Sequence, residues 1–223
     1  MEQPTPPVEP IPARVLALVS GVVGLLAGLF LLAFFTLDSY GARLGPLSLG
    51  TVNDVLGAVQ FAALAPVAWA LGRRLPATRM VRAATAVAVV AMVAFVVLSV
   101  LLVTDVLAFE QQIGPQIVAI LAIYGWLLLV NLVAHRTRSL PRAVTRMGVL
   151  LGVGLITGLV LVGAGFVLPG LIGSLATWVG YALGGIAWLA LPIYVLLLAA
   201  RVFPRSPSPV AAAPAQSVPG VRS

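Results

Sequence analysis

Long apolar segments alternate with short polar ones along the chain, and this alternation predicts its secondary structure. A helix needs about 20 consecutive apolar residues to cross a hydrocarbon core about 30 Å thick. Six segments meet this requirement, and polar, glycine or proline residues separate them. The predicted spans cover residues of about 15–37, 52–72, 81–104, 116–135, 147–168 and 175–201.

The last two spans have to be separated within residues 147–200, a stretch that contains no charged side chain. A single helix of this length would measure about 80 Å at about 1.5 Å per residue, far more than a bilayer. The Leu-Pro-Gly sequence at 168–170 is the strongest turn signal there, and we expect Gly173 and Ser174 to complete the turn. The polar sequence 110–115 predicts another turn, before the fourth span.

Both ends of the chain differ in composition from the apolar middle. Residues 1–13 contain five prolines and no apolar run, and residues 203–223 are rich in proline, alanine and serine. We therefore expect two disordered tails around one membrane domain, residues 14–202. The first span exceeds the apolar region of a cleaved signal peptide, usually about 7–15 residues, so we expect it to be retained. The predicted fold class is all-α, a bundle of six transmembrane helices.

Composition agrees with this fold and excludes several kinds of site. Hydrophobic residues make up 61% of the chain and charged residues 9%, whereas a soluble domain carries roughly 25% charged residues. The apolar surface must therefore face lipid. The chain has no cysteine and one histidine, His135, which excludes disulfides, cysteine nucleophiles and metal sites built from thiolates or histidine clusters. We expect no metal and no cofactor.

Arginine supplies all 13 cationic residues, and their distribution predicts the orientation. Twelve lie in the N-terminal flank, the loops at 73–82 and 136–146 and the C-terminal tail, whereas only Arg43 lies in the opposite loops. The positive-inside rule therefore places both termini in the cytoplasm, and it explains the net charge without a nucleic-acid partner. Arginine without lysine, beside abundant alanine, valine, glycine and proline, is typical of a high-GC bacterial genome, so we expect a bacterial plasma membrane.

No charged residue lies near the middle of any predicted span, and Asp54 comes closest. Intramembrane charges are costly and usually mark ion or proton paths, so this pattern counts against ion-coupled transport but not against a facilitator for a neutral solute. Asp54 has two interpretations. It is either a first-turn carboxylate favoured by the helix N-terminus, with Thr51 or Asn53 as the cap, or part of a polar site.

Polar and aromatic residues gather on one face of the second, fourth and sixth predicted spans. An unpartnered amide is costly in hydrocarbon, so Gln60, near the bilayer centre, must meet a polar group or water. The faces form either an inward polar-aromatic pocket or ordinary hydrogen bonds between helices, worth about 0.6 kcal/mol each. They consist of Asn53, Gly57 and Gln60; Gln116, Tyr124, Asn131 and His135; and Trp178, Tyr181, Gly185, Trp188 and Pro192. Under the pocket hypothesis the ligand-binding residues are Asn53, Asp54, Gln60, Gln116, Tyr124, Asn131 and Trp188.

Glycine pairs spaced four residues apart occur in the first, fifth and sixth spans. This spacing allows helix backbones to approach closely, either within the bundle or between protomers. The pairs are Gly24 with Gly28, Gly148 with Gly152, Gly154 with Gly158, and Gly180 with Gly184.

Part of the sequence carries a family resemblance. Residues 125–129 (Gly-Trp-Leu-Leu-Leu), 138–142 (Arg-Ser-Leu-Pro-Arg) and 147–153 (Met-Gly-Val-Leu-Leu-Gly-Val) follow one another, and Asn53-Asp54 begins the second span. This pattern resembles six-helix bacterial integral membrane proteins grouped under a domain of unknown function, in which a Leu-Pro-Arg turn precedes a glycine-rich fifth span. The resemblance covers nearly the whole predicted membrane domain and implies a six-helix fold. It implies no activity and no functional residue.

The sequence contains no arrangement of residues that is typical of a membrane enzyme. It lacks a Gly-x-Ser-Gly nucleophile motif with a partner histidine, paired carboxylates and a hydrolytic metal cluster, so we expect no enzymatic activity. Two functional classes remain. One is a structural, accessory or regulatory protein whose partners are lipids and other membrane proteins, or a second copy through the glycine faces. The other is a facilitator or binder of a small neutral or amphipathic solute that uses the pocket.

Overall fold

The structure, a computed structural model, describes residues 12–37, 43–44 and 47–203. Six α-helices make up nearly all of this part of the chain, and each is long and apolar enough to cross a membrane, which confirms the predicted fold class. The predicted disordered tails lie almost entirely outside the described residues. The helices are α1 (Pro12–Thr36), α2 (Leu49–Arg74), α3 (Arg79–Val103), α4 (Phe109–Thr137), α5 (Arg142–Val167) and α6 (Gly170–Arg201). Two short strands, β1 (Arg43–Leu44) and β2 (Leu47–Ser48), pair antiparallel before α2.

The six helices form a closed ring. Each helix packs against the next one in the chain, and α6 also packs against α1. Helices α2, α4 and α6 end on the same side of the ring, beside the arginine-rich loops, and we name this side the basic end and the other the far end. At the basic end the Arg74 guanidinium donates a hydrogen bond to the carbonyl oxygen of Val202, and its Cζ atom lies 4.7 Å from the centroid of the Phe203 ring. The ends of α2 and α6 are thus held together.

The start of α2 differs from the prediction because of its cap. The Ser48 hydroxyl accepts a hydrogen bond from the Thr51 N–H at 3.0 Å, an N-cap interaction that begins the helix at Leu49. Thr51 and Asn53, predicted as possible caps, therefore lie inside the helix. Asp54 consequently lies further from the helix start than expected, beyond the first turn.

The fourth helix also begins earlier than predicted. The polar sequence 110–115, expected to be a turn, forms the first turns of α4, which starts at Phe109. The Gln111 side chain accepts a hydrogen bond from the Ala108 N–H at 3.2 Å and so provides a partner at the helix start. Pro115 removes the helical hydrogen bond to the Gln111 carbonyl but does not end the helix.

The break between α5 and α6 falls at the Leu-Pro-Gly sequence. α5 ends at Val167, and α6 begins at Gly170, whose φ is +59°. Glycine adopts this left-handed conformation without steric cost. Gly173 and Ser174, expected to complete the turn, lie instead in the first turns of α6, where the Ser174 hydroxyl donates to the Gly170 carbonyl oxygen at 3.3 Å. The helix resumes sooner because one proline and one left-handed glycine suffice to reverse the chain.

The predicted inward face of α6 divides into two parts. Trp188 points into the ring, whereas Trp178 is 72% and Tyr181 55% exposed on the outer surface. In its far-end half α6 turns glycines towards α5, and a Cβ at Gly180 would lie only 2.6 Å from the carbonyl oxygen of Gly158. This close backbone approach, rather than the aromatic residues, sets the rotation of α6 there.

The glycine pairs pack against neighbouring helices of the same chain. At most of these positions an added Cβ would come closer than about 3 Å to a neighbouring atom, so the small residue is what allows the contact. Gly24 and Gly28 face α2 and α6, Gly148 and Gly152 face α4, and Gly158 and Gly180 face each other.

A candidate ligand-binding cleft

A small cleft lies among α1, α2, α3 and α6 in the far-end half of the ring. Its cavity has a volume of about 20 Å³, which is room for about one water molecule. None of the described residues that line it is basic. Its walls include Gly24 and Gly28 of α1, Asn53, Asp54, Gly57 and Gln60 of α2, Phe95 of α3, and Trp188 and Pro192 of α6.

One face of α2 forms the polar wall of the cleft. Asn53, Gly57 and Gln60 follow one another at helical spacing on this face, as the sequence pattern predicts, and Asp54 joins them. Gly57 lies between the Asn53–Asp54 pair and Gln60 along the helix. Because glycine has no side chain, the space between that pair and Gln60 stays open. The Asn53 side-chain amide donates a hydrogen bond to an Asp54 carboxylate oxygen at 3.3 Å. The half-buried carboxylate thus lies at the mouth and the amide of Gln60 in the interior.

Gln60 is the most deeply placed polar residue of the cleft, only 5% exposed. Its backbone carbonyl accepts a hydrogen bond from the Ser20 hydroxyl at 3.0 Å, but its side-chain amide has no hydrogen-bond partner within the described ranges. Gly24 of α1 makes room for this amide, since a Cβ there would lie 2.6 Å from Gln60 Cδ. The amide lines the cleft, so water or another polar molecule in the cleft can supply the hydrogen-bond partners that a buried amide needs.

Aromatic rings form the opposite wall and the floor. The ring centroids of Phe95 and Trp188 are 6.1 Å apart, and Phe61 packs behind both, at 4.4 Å from Phe95 and 5.8 Å from Trp188. Tyr124 stacks on the other side of Trp188 at 6.3 Å. Ring separations of 4.5–7 Å are roughly those of favourable aromatic pairs, so this wall is a packed cluster.

Pro192 interrupts the helical hydrogen bonding of α6 beside the cleft. A proline inside a helix has no N–H to donate to the carbonyl four residues earlier, which here is that of Trp188. That carbonyl lies on the same face of α6 as the Pro192 ring, and both residues line the cleft.

The polar residues of α4 do not reach the cleft. The Tyr124 hydroxyl donates to the Ala187 carbonyl oxygen at 3.3 Å. The Asn131 amide donates to the Leu127 carbonyl oxygen at 2.8 Å and bonds the Tyr194 hydroxyl at 3.0 Å. Both side chains are fully buried. In α4, therefore, these two side chains form hydrogen bonds between and within helices and do not line the cleft.

Between Gln60 and the basic end the ring is filled. Leu64, Leu127 and Leu191 are each at most 3% exposed, and the buried hydroxyl of Tyr194 is engaged by Asn131. Interiors packed in this way contain few voids larger than a water molecule. The cleft therefore ends at the aromatic floor and does not continue across the bundle.

Four of the seven predicted ligand-binding residues line the cleft: Asn53, Asp54, Gln60 and Trp188. The other three, Gln116, Tyr124 and Asn131, lie outside it. Phe95 and the residues of α1 line the cleft but are absent from the predicted set. Small residues of α1 form the wall that the prediction assigns to the polar face of α4. The one available signal was the Gly24-xxx-Gly28 pair, which was interpreted only as a packing motif.

A second, open cleft lies at the basic end and has a different chemistry. It has a volume of about 680 Å³ and surrounds the turn between α4 and α5. Its walls carry the arginines that the positive-inside rule uses, Arg136, Arg138, Arg142 and Arg146, beside Thr145 and His135. In the described part of the chain, no group of three or more acidic, histidine or cysteine residues is arranged to hold a metal ion.

Comparison of the chain with protein-family models, curated proteins and solved structures finds no match. The resemblance to six-helix bacterial membrane proteins therefore stays a prediction.

Proposed function

We propose that this multi-pass membrane protein is an accessory or regulatory protein that binds a small amphipathic solute in the far-end cleft without carrying it across the membrane. The main support is the Gln60 amide, which is nearly completely buried, lines the cleft and has no partner among the described residues. An amide in such a place needs a polar partner, which either a water molecule or a bound solute with polar groups can supply.

Passage across the bundle is disfavoured by the residues below the cleft. Phe61, Tyr124 and Tyr194 are at most 1% exposed, and the two tyrosine hydroxyls are engaged by neighbouring helices. A facilitator would have to separate these contacts in each transport cycle. Binding at the far end alone requires no such rearrangement.

Solute binding is tested by thermal stabilisation of the full chain in nanodiscs against a library of small polar and amphipathic solutes. We expect at least one solute to raise the Tm of the wild type but not that of Gln60→Leu. Gln116→Leu is the matched control, because it removes the same amide from a residue outside the cleft, and it should respond like the wild type. No stabilising solute, or equal stabilisation of Gln60→Leu, would contradict binding at this cleft.

The absence of transport is tested with the same solute in proteoliposomes. Its uptake should be no faster than into liposomes without protein, because the path beyond Gln60 is packed. Uptake that depends on the protein and falls in Gln60→Leu would instead establish a facilitator.

We further propose that the basic end faces the cytoplasm of a bacterium and that the cleft opens to the outside. The chain has no cysteine, so single introduced cysteines report orientation without background. Glu110→Cys at the far end should react with a membrane-impermeant maleimide on intact cells, whereas Arg138→Cys at the basic end should react only after permeabilisation. The reverse pattern would contradict this orientation.

A further inference from the structure

The described walls of the far-end cleft carry one negative charge and no positive charge. Asp54 supplies the charge, and its hydrogen bond within the described part of the chain comes from the neutral amide of Asn53. A partly buried carboxylate without a counter-ion is poorly compensated, and a cleft lined by one sign of charge concentrates ions of the opposite sign. The cleft is therefore suited to a cationic group.

The aromatic wall favours the same kind of ligand. Phe95 and Trp188 both line the cleft, and the faces of aromatic rings attract ammonium groups through their quadrupole, tryptophan most strongly. A carboxylate and two aromatic rings both match a cationic group.

The spacing of the polar groups indicates a ligand with two polar ends. Asp54 and Gln60 are separated by a rise of about 9 Å along α2. Both side chains tilt towards the N-terminus, so the two polar groups are closer than this rise only by the greater length of the Gln60 side chain. Gly57 leaves the space between them open. The cavity has room for about one water molecule, so a short molecule that places a charged group near the carboxylate and a hydrogen-bonding group at the amide has to move the walls of the cleft apart.

We propose that the far-end cleft binds a small hydroxylated amine, with Asp54 as the counter-ion of its ammonium group and Gln60 as the hydrogen-bond partner of its hydroxyl group. The proposal rests on the function proposed above and narrows its solute to one chemical class. Phe95 and Trp188 form the walls against which the carbon chain and the ammonium group lie.

The test uses three matched probes on the full chain in nanodiscs of phosphatidylglycerol, which contains no amine. The probes are ethanolamine, ethylene glycol, in which a hydroxyl replaces the ammonium, and ethylammonium, which lacks the hydroxyl. Binding is followed by tryptophan fluorescence, with Trp188→Phe to identify the signal of the cleft. We expect saturable binding of ethanolamine, at least about tenfold weaker binding of ethylene glycol and intermediate binding of ethylammonium, because a desolvated charge contributes more than a neutral hydrogen bond.

Two variants separate the roles of the polar groups. Asp54→Asn should weaken ethanolamine binding at least about tenfold and bring it close to that of ethylene glycol. Gln60→Leu should instead make ethanolamine and ethylammonium nearly equal, since only the hydroxyl contact is lost. Glu110→Gln removes an exposed carboxylate of the same end of the bundle from outside the cleft, and it should leave the binding of all three probes unchanged.

The outcomes distinguish this inference from the function on which it rests. Equal binding of ethanolamine and ethylene glycol, or unchanged ethanolamine binding by Asp54→Asn, would overturn the amine proposal. So would a saturable signal from sodium ions at the same concentration, which would indicate an inorganic cation. In each case the proposed function survives if another solute stabilises the wild type but not Gln60→Leu. If no solute does so, both proposals fail.

The amine can be free or can belong to a lipid, and the composition of the nanodisc distinguishes the two sources. Phosphatidylethanolamine in the disc should suppress the response to free ethanolamine if the lipid headgroup occupies the cleft. An unchanged response would identify the free amine as the ligand. Either result supports recognition of an amine.

Discussion

Two amide side chains on inward helix faces, those of Gln60 and Asn131, lie in similar surroundings but differ in their hydrogen bonding. Each lies against a glycine of a neighbouring helix, Gly24 for Gln60 and Gly148 for Asn131. The Asn131 amide bonds a backbone carbonyl and the Tyr194 hydroxyl. The Gln60 amide has no such partner in the described ranges and lines a cleft.

The difference between the two amides comes from α6. At the level of Asn131, α6 presents Tyr194, whose hydroxyl both donates and accepts. At the level of Gln60 it presents Pro192, whose ring does neither. The bundle can therefore close around one amide but leaves a cavity beside the other. The neighbouring helix, rather than the residue type, decides whether a polar side chain serves packing or is available to a ligand.

The largest effect is expected from an added methyl group at the closed amide. A Cβ in Gly148→Ala would lie 2.1 Å from Asn131 Nδ2, and the hydrogen bonds of that amide keep it from moving aside. We expect a loss of about 1–3 kcal/mol in the free energy of unfolding, measured by reversible unfolding in mixed micelles. A Cβ in the matched variant Gly24→Ala would lie 2.6 Å from Gln60 Cδ and 2.8 Å from Pro192 Cγ; we expect a smaller loss, because the unbonded Gln60 amide can rotate into the cleft and relieve the shorter contact. A larger loss for Gly24→Ala would contradict the comparison.

A smaller effect is expected when the closed amide is removed. Asn131→Leu leaves the buried Tyr194 hydroxyl without its partner, which should cost about 1–2 kcal/mol in the same assay. In the double variant with Tyr194→Phe the loss should be smaller than the sum of the two single losses, since the pair is one unit. Strict additivity would show that the two side chains are not coupled.

The smallest effect is expected at the open amide. Gln60→Leu should lower the free energy of unfolding by no more than about 0.5 kcal/mol, because the amide has no hydrogen bond to lose. A gain in stability agrees with the same comparison. A loss as large as that of Asn131→Leu would mean that Gln60 has a structural partner and would remove the basis for a ligand site.

Much of the fold follows from local patterns in the sequence. The six spans are predicted because lipid requires long apolar helices with internally satisfied backbones. The break at 168–170 follows from the conformations of proline and glycine. The face of Asn53, Gly57 and Gln60 follows from helical periodicity alone. The predicted start of α4 is later than the observed one because the capping contact of Gln111 is harder to detect in a sequence than a proline.

The number of helices, the face of α2 that carries Gln60 and the basic character of one end of the bundle follow from the sequence alone. Each of these properties depends on a single helix: on its length, on the spacing of its polar residues and on the charges that flank it. The packing of the helices, by contrast, pairs Tyr194 of α6 with Asn131 and places Pro192 beside Gln60, and it makes α1 rather than α4 complete the cleft. Such pairings depend on the order and rotation of the helices in the ring, which glycine contacts fix and hydropathy does not encode.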